Sequence, residues 1–416
     1  MLIAGEASGD LLAAELVSAL REKFPSVGSG SPASPIFFGA GGPKMAAAGV
    51  ELAFDLTQHS VIGISDVLKN ILKFRRLFNQ LLALAIERQP DVIIGVDYGG
   101  FNLRFGHAIK EYLRDNPFMN WQPKIVQFVS PQVWASRPGR ADRMARDYDL
   151  LLSIFPFEKA WYAQRVPQLR VEFVGHPMIG RFTPDDLRLP RGLEAGDRRV
   201  DEAQILEKLE MQPIVAGKSK ILLLPGSRKS ELQRHLPPML GALALIREAL
   251  PAATAKMVLP DESLVRLAQS LGADLDFQIG HLPQALAGAD VAIASTGTVT
   301  MECAFFGVPT VTLYKTSWLT YQIARRIVTV KTLTMPNLLA NEMVYPEFIQ
   351  HEATPENLSR AVLELLRDVL RRETIKVQLA QIIASLGEPG AAGRAANAVA
   401  GLLDGPRPVP PNQNRG

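Results

Sequence analysis

Cysteine is almost absent from this chain, since Cys303 is the only one in 416 residues. A single cysteine excludes an internal disulfide framework and a cysteine-based zinc site. The six histidines show neither HxxxH nor HxH spacing, so a histidine metal site has little support. We therefore predict no resident metal, and we expect Cys303 to pack as a small apolar residue on a helix over residues 298–306.

Charge of one sign and long apolar runs are scarce as well. The formal net charge is only +3, and no motif of interleaved basic and aromatic residues is present, so nucleic acid is not an expected partner. No apolar run reaches the ~18 residues of a membrane-spanning helix. The start of the chain, MLIAGEASGD, lacks the basic segment and the cleavage site of a signal peptide. The expected location is the cytoplasm.

Short apolar runs alternate along the chain with segments of helical periodicity. This alternation predicts parallel sheets covered by helices, and a hydrophobic content of 47% is sufficient for sizeable cores. The pattern occurs twice, on either side of a linker rich in Pro, Arg, Asp and Glu at residues 181–219. We predict two doubly wound, Rossmann-like α/β domains at residues 1–180 and 220–350, helices at 351–403 and a disordered tail at 404–416. The predicted strands are Leu2–Ala4, Ile36–Phe38, Val92–Val96, Ile125–Val129, Leu150–Ile154, Val171–Val174, Ile221–Leu224, Lys256–Leu259, Phe277–Ile279, Val291–Ala294 and Thr310–Leu313.

The most informative segment follows the predicted strand Val291–Ala294. It reads Ser295-Thr296-Gly297-Thr298, and the helix-compatible run after it carries Glu302. Unpaired N–H groups at the start of a helix, together with the helix dipole, bind phosphate. Glu302 would lie where a carboxylate accepts a hydrogen bond from a ribose hydroxyl. This segment predicts a nucleoside-diphosphate site, and the alternative is an ordinary strand-to-helix turn with a surface glutamate.

Two further loops after predicted strands carry residues suited to ligand binding. In LLPGSR, Arg228 is placed where its guanidinium can donate two hydrogen bonds to a phosphate. In GEASGD, Gly5 and Gly9 allow a tight turn and the close approach of backbone to a ligand. Asp10, the last residue of that string, has the alternative role of a helix N-cap.

Asp97 follows the predicted strand Val92–Val96 and begins the string DYGGFN, which ends at Asn102. An acidic residue at the end of a buried strand is unfavourable unless it is paired or used. Asp97 is therefore a candidate general base that deprotonates an acceptor hydroxyl. The alternative is a structural aspartate that caps the next helix. The later string SPQVWASR, at residues 130–137, has polar groups and an aromatic face that can hold a sugar.

A strongly apolar helical stretch is predicted at Ile64–Leu84. Lys69, Lys73 and Arg76 form a basic stripe along it, with Arg75 beside the stripe. Broad apolar surface with a basic border suits the surface of an anionic membrane. The alternative is a core helix with a solvated basic face.

Nine short motifs together resemble the lipid-A-disaccharide synthase family, a group of GT-B glycosyltransferases. The resemblance runs from about residue 2 to 350, with a helical continuation to 403. Enzymes of this family join UDP-2,3-diacylglucosamine to 2,3-diacylglucosamine 1-phosphate (lipid X), with inversion, and form UDP and a β-1′,6-linked disaccharide. In chain order, the motifs are GEASGD, GGPKM, SVIGISDVL, VSPQVWA, PFEKAWY, VGHPM, LLPGSR, STGTVTME and PNLLA.

The resemblance implies roles for particular residues. Asp97 would be the base that activates the 6-hydroxyl of lipid X, in an acceptor-binding N-terminal domain. Backbone dipoles can stabilise the departing diphosphate without a metal, so no cofactor is expected. The residues expected at the UDP-sugar are Arg228, Ser295, Gly297, Thr298, Glu302 and Asn337. The other residues expected to contact substrate are Ser8, Asp10, Asn102, Ser130 and Trp134.

The resemblance also implies where the enzyme works. Because the acyl chains of its substrates partition into the inner leaflet, we expect peripheral association with the cytoplasmic surface of the inner membrane. The apolar helix would then receive acyl chains while its basic stripe faces anionic headgroups. A homodimer through the C-terminal part is a further expectation.

One departure from the family lies next to the expected base. The family usually has Asp-Ala-Pro-Asp-Phe-Asn where this chain has Asp97-Tyr-Gly-Gly-Phe-Asn102, so the second acid is missing. The alternatives are another GT-B enzyme that uses a UDP-sugar, such as the transferase of lipid II synthesis or a UDP-GlcNAc 2-epimerase, and a non-catalytic sugar-nucleotide- or lipid-binding protein. The first loop, GEASGD, differs from the GGTGGH type of the lipid II transferase.

Overall fold

Parallel strands form two separate sheets in the computed structural model of the protein. The structure describes residues 1–24, 35–59, 64–182 and 219–403, and for residues 59, 64–71 and 319 it describes the backbone alone. The described chain divides into two units. The first unit comprises the described parts of Met1–Trp134, Pro138–Gly180 and Gly387–Gly416, and the second those of Ala135–Arg137 and Arg181–Leu386.

The strands pair in parallel throughout both sheets. In the first sheet the strands are β1 (Leu2–Ala4), β2 (Phe38–Gly41), β3 (Glu51–Asp55), β4 (Val92–Val96), β5 (Lys124–Phe128), β6 (Leu150–Ser153) and β7 (Val171–Phe173). In the second they are β8 (Lys220–Leu224), β9 (Thr254–Leu259), β10 (Asp276–Ile279), β11 (Val291–Ser295), β12 (Thr310–Tyr314) and β13 (Glu347–Ile349). The spatial orders are β3-β2-β1-β4-β5-β6-β7 and β10-β9-β8-β11-β12-β13.

Helices connect the strands and cover the sheets, as parallel pairing requires. In chain order they are α1 (Ala7–Lys23), α2 (Pro43–Ala47), α3 (Ile64–Arg88), α4 (Gly99–Asp115), α5 (Val133–Ser136), α6 (Arg140–Asp147), α7 (Pro156–Arg165), α8 (Lys229–Ala249), α9 (Glu262–Ser270), α10 (Leu282–Gly288), α11 (Thr298–Phe305), α12 (Trp318–Ile327), α13 (Met335–Ala340), α14 (Pro355–Arg367), α15 (Val369–Ser385) and α16 (Ala391–Leu403). None of the helices in these described ranges is both long and apolar enough to cross a bilayer.

The strand order reverses once in each sheet, between β1 and β4 and between β8 and β11. At such a reversal the loops that follow the two flanking strands diverge and leave a crevice where ligands bind. In the first sheet these loops carry GEASGD and Asp97, and in the second they carry Arg228 and Gly297. The predicted fold class, two doubly wound α/β halves, is therefore confirmed, and each half places predicted site residues at its reversal.

The structure corrects several predicted elements. The second strand is Phe38–Gly41 rather than Ile36–Phe38, because the small residues Gly39 and Ala40 pair with β1 while Ile36 is 73% exposed. The edge strands β3 and β13 were not predicted, since both are only partly buried and lack a continuous apolar run. Helix α1 begins at Ala7, so four of the six residues of GEASGD are helical and Asp10 is not the N-cap of this helix.

Apolar residues from the strands and the covering helices form the core of the first unit. Ile93 and Ile125 pack in one buried cluster with Phe105 of α4 and Tyr162 of α7. On α11 of the second unit, Cys303 is fully buried, which confirms that it packs as a small core residue. Residues 183–218 and 404–416 lie outside the described residues, so the predicted linker, tail and domain boundaries stay predictions.

Candidate active site

In the first unit, the loops after β1 and β4 pack directly against each other. A Cβ atom built on Gly5 would lie 2.3 Å from the Tyr98 ring, and one built on Gly9 would lie 3.4 Å from Asp97 Cβ. A side chain at position 5 would therefore displace Tyr98. The two glycines of GEASGD permit the close approach of the loop that carries Asp97, whereas the predicted approach to a ligand stays a prediction.

The backbone at Asp97 is held in an unusual conformation. Asp97 and Tyr98 both have positive φ angles, 51° and 44°, which non-glycine residues rarely adopt. The Asp97 N–H donates to the Phe128 carbonyl at 2.8 Å. The Asp97 carbonyl accepts hydrogen bonds from Asn102 Nδ2 at 2.8 Å and Gln127 Nε2 at 2.9 Å. Strained backbone that its surroundings hold in this way is typical of functional sites.

The Asp97 carboxylate is half-buried at the same place. Ser8 Oγ lies 3.4 Å from Asp97 Oδ2, which brings two of the predicted site residues together. Burial raises the pKa of Asp97, although hydrogen bonds from the Tyr98 N–H and Ser8 oppose the shift. A carboxylate with a raised pKa is a stronger base, so this environment suits general-base chemistry.

Gln127, in β5, was missed by the sequence reasoning. Its side chain is fully buried, and its Nε2 lies 2.9 Å from the Asp97 carbonyl and 3.2 Å from the Val129 carbonyl. Val129 also has a positive φ, 66°, which is unfavourable for a β-branched residue. One buried amide thus joins the two strained residues that follow β4 and β5. The available signal was a polar residue in the middle of an apolar strand.

Asp10 has a different environment from the one predicted. Its buried carboxylate accepts hydrogen bonds from the backbone N–H groups of Gly42, Lys44 and Met45 at 2.8–3.0 Å. Asp10 therefore satisfies the N-terminus of α2 rather than of its own helix, because α2 leaves these donors unpaired. Its oxygens are occupied by protein, so the geometry assigns Asp10 a positioning role for the loop after β2.

Ser130 and Trp134 belong to a buried polar network around Glu158. Trp134 Nε1 donates to Glu158 Oε1 at 3.0 Å, and Ser130 Oγ lies 3.1 Å from the Tyr162 hydroxyl. Glu158 also accepts a hydrogen bond from the Phe155 N–H and closes the first turn of α7. The network fixes the loop after β5, and these polar atoms are engaged within the unit. A direct substrate contact from Ser130 or Trp134 stays a prediction.

We expect the Glu158→Gln variant to lose a pH dependence of stability that the wild-type protein has. Burial raises the pKa of Glu158 from 4.5 to about 7, so the folded chain holds a proton that the unfolded chain releases in this window. The free energy of unfolding should therefore fall as pH rises through the window, by on the order of 3 kcal/mol. Urea unfolding of both proteins across this range measures the effect. The prediction is wrong if the free energy of unfolding depends on pH in the same way in both proteins.

In the second unit, Arg228 follows β8 and immediately precedes α8. Its side chain is 55% exposed and lies 3.6 Å from the Glu231 carboxylate, so its guanidinium is accessible to a ligand. Buried His235 supports this loop, since His235 Nδ1 donates to the Pro225 carbonyl at 2.7 Å. His235 Nε2 accepts from the Lys315 N–H at 3.0 Å, which joins the loops after β8 and β12. Burial lowers the pKa of His235, and a ring nitrogen that accepts a hydrogen bond requires the neutral imidazole.

The loop after β11 is a short turn that leads directly into α11. Ser295 is buried at the end of the strand, whereas Gly297 and Thr298 are exposed at the start of α11. Gly297 has φ 145° and ψ −161°, a region that is essentially restricted to glycine. Glu302 lies half-buried one turn into the helix, and burial raises its pKa while Arg181 opposes the shift. The strand end, the turn and the helix start thus lie where the sequence predicted them, and binding of a nucleotide by these residues stays a prediction.

Asn337 differs from the other predicted donor-site residues. Its Nδ2 donates to the Tyr345 carbonyl and to Glu347 Oε1, both at 2.8 Å, and its Oδ1 accepts from the Tyr345 N–H at 2.8 Å. Glu347 in turn accepts from the Leu333 and Thr334 N–H groups at the start of α13. The geometry therefore gives Asn337 a structural role, and a contact with the UDP-sugar stays a prediction.

The two parallel sheets, with a reversal in each, define a GT-B-like fold. Among solved structures, the S. aureus MnaA–UDP complex matches with a TM-score of 0.58 at 12% identity, over 97% of this chain and 96% of its own. MurG of Acinetobacter baumannii matches with a TM-score of 0.50 at 16% identity, over 96% and 98%. At such identities these likenesses show the fold alone.

The chain belongs to the lipid-A-disaccharide synthase family. The family model described as "LpxB: Lipid-A-disaccharide synthetase" matches residues 1–400. The lipid-A-disaccharide synthase of Trichlorobacter lovleyi is 34% identical over 411 residues, which cover 97% of each chain. The chain is accordingly a glycosyltransferase of lipid A biosynthesis that condenses UDP-2,3-diacylglucosamine with lipid X. The predicted family and reaction are confirmed.

Proposed function

We propose that Asp97 is the general base of this reaction and that the loops after β1 and β4 bind lipid X. The proposal rests on the half-buried Asp97 carboxylate, which lies where the strand order of the first sheet reverses. This carboxylate has a raised pKa and accepts a hydrogen bond from Ser8. In the transfer step, O6 of lipid X forms a bond to C1 of the donor sugar. The bond from C1 to the diphosphate oxygen breaks, UDP leaves with the electron pair, and the hydroxyl proton passes to Asp97.

The second unit is proposed to bind the UDP group. Support comes from the reversal between β8 and β11, where Arg228 and the N-terminus of α11 supply positive charge and N–H donors. Glu302 is proposed to accept a hydrogen bond from the ribose. The S. aureus neighbour was solved with UDP, which agrees with a nucleotide site on this scaffold. Backbone dipoles can stabilise the departing diphosphate, so we propose that turnover needs no metal.

We expect the Gly297→Ala variant to bind UDP about 10-fold more weakly, because alanine avoids the Gly297 backbone conformation at a cost of about 1–3 kcal/mol. A Cβ atom built on Gly297 would meet no atom within 4 Å, so steric overlap cannot cause the effect. Gly288→Ala is the matched control, since Gly288 is equally open and has no positive φ. Calorimetric titration with UDP measures both. An unchanged affinity of Gly297→Ala would exclude this turn from the nucleotide site.

Peripheral membrane association through α3 is also proposed. Leu72 on this helix is 77% exposed, and Lys73, Arg75 and Arg76 are exposed beside it. Such a surface suits the interface of an anionic bilayer. The Lys69 side chain, which the sequence places on the same stripe, lies outside the described residues.

Changing Lys73, Arg75 and Arg76 to Glu should reduce partitioning onto anionic vesicles by about 100-fold, because each basic residue near the surface contributes about 1 kcal/mol. The matched control carries the same change at three exposed arginines of the second unit, Arg247, Arg360 and Arg367. Sedimentation with vesicles that contain phosphatidylglycerol compares the two. If the α3 variant sediments like the wild-type protein, this stripe is only a solvated face.

A further inference from the structure

A cavity of about 130 Å³ lies between α4 and α6 in the first unit. Its wall includes Gly100, three residues after Asp97, and a Cβ atom built on Gly100 would meet no atom within 4 Å. The cavity is therefore open next to the loop that carries the proposed base. Of its lining residues, only Gly100 belongs to a motif that the sequence analysis singled out.

Basic and acidic residues line different ends of this cavity. Arg104 lines it from the second turn of α4, and Arg140 and Arg143 line it from the first turn of α6. Helix α4 leaves the carboxyl edge of the sheet after β4, and α6 leads into the start of β6, so both helices begin at the edge that carries Asp97. The three arginines thus belong to the early turns of the two helices, on the side of the cavity where Gly100 and the loop of the base lie.

The acidic residues of the cavity lie toward its other end and are paired there. His107 Nδ1 lies 2.9 Å from Asp147 Oδ2, and His107 Nε2 lies 3.3 Å from Glu111 Oε1. Within the described residues, neither Arg104 nor Arg143 forms an ion pair of its own. The basic end therefore keeps positive charge that these carboxylates do not neutralise.

We propose that this basic end binds the 1-phosphate of the acceptor. The inference rests on the proposed function, in which lipid X occupies the first unit. Guanidinium groups match the geometry and charge of a phosphate monoester. In a glucosamine 1-phosphate, C1 and C5 are both bonded to the ring oxygen, so the phosphate and the 6-hydroxyl lie on the same edge of the sugar. A sugar with its 6-hydroxyl at Asp97 then directs its phosphate toward the adjacent cavity.

The test replaces Arg104 and Arg143 together by Gln and compares two acceptors, lipid X and the same diacylglucosamine without phosphate. We expect KM for lipid X to rise about 10–100-fold, because charge-assisted hydrogen bonds are lost, while KM for the phosphate-free acceptor stays the same. The matched control is Arg114→Gln with Arg146→Gln, exposed arginines on the same two helices that do not line the cavity. An equal rise in KM for both acceptors, or an unchanged KM for lipid X, would overturn the assignment.

A binding measurement separates this proposal from the proposed function. Titration of the wild-type protein and the Arg104/Arg143 variant with glucosamine 1-phosphate needs no turnover, and we expect the variant alone to lose binding. If the wild-type protein makes no disaccharide but shows this difference, the phosphate site stands and the assignment of lipid X fails. If the variant binds glucosamine 1-phosphate normally and only sediments less with vesicles of phosphatidic acid, the cluster serves a lipid headgroup and the proposal is wrong.

Discussion

Replacing Asp97 by asparagine is expected to lower kcat by about 10³-fold, the typical contribution of a positioned general base. Asparagine has nearly the same size and tolerates the left-handed conformation that Asp97 adopts, so the loop should keep its shape. UDP affinity should be unchanged, since the proposed nucleotide site lies in the other unit. In the wild-type protein kcat/KM should rise as pH rises through the raised pKa of Asp97, because the base works only when it is deprotonated. In the variant this rise of kcat/KM with pH should be absent.

The control for this change is Asp115→Asn, which removes an exposed carboxylate at the far end of α4. It should retain wild-type kcat. A near-normal kcat for Asp97→Asn would remove Asp97 from the proton transfer. The alanine variant checks the loop itself, because loss of UDP binding in Asp97→Ala would indicate general damage rather than loss of a base.

Replacing Gln127 by leucine should lower kcat by about 10–100-fold, with little change in UDP affinity. The substitution removes the amide donor that holds the carbonyls of Asp97 and Val129, and a small displacement of a catalytic group is sufficient for such a loss. The effect on stability should be smaller, about 1 kcal/mol, because the Asp97 carbonyl keeps its bond from Asn102. Leucine also removes the buried Gln127 Oε1, which has no hydrogen-bond partner among the described residues.

A double mutant distinguishes positioning from general disruption. If Gln127 acts through Asp97, adding Gln127→Leu to Asp97→Asn should change kcat little further, since the base is already absent. Gln164→Leu, a matched change on the exposed surface of α7, should leave kcat unaffected. Independent losses that multiply in the double mutant would contradict the positioning role.

The sequence predicted the parts of the fold that follow from apolar periodicity. Buried parallel strands such as Val92–Val96 read as continuous apolar runs, so their number and order of appearance were accessible. The strand Phe38–Gly41 was not, because its pairing depends on the small size of Gly39 and Ala40 rather than on their apolar character. Edge strands were missed for the related reason that only part of each is buried.

The local structure of the candidate site was predictable where a motif sets the turn, as at Gly297, and less so where a side chain has partners distant in sequence. Asp10 looked like a ligand or a cap of its own helix, yet its partners are the N–H groups of α2, more than thirty residues away. Asn337 is likewise engaged by Tyr345 and Glu347. Such tertiary hydrogen bonds leave no local pattern in the sequence, and Gln127 could be noticed only as a polar residue in an apolar strand.

We expect this chain to transfer a diacylglucosamine unit from UDP to lipid X with its own residues alone. The most direct test is turnover of UDP-2,3-diacylglucosamine and lipid X by the purified protein in the presence of EDTA, with UDP and disaccharide measured together. We predict equal amounts of both products, at a rate that EDTA does not change. Binding of UDP without formation of disaccharide would contradict the claim.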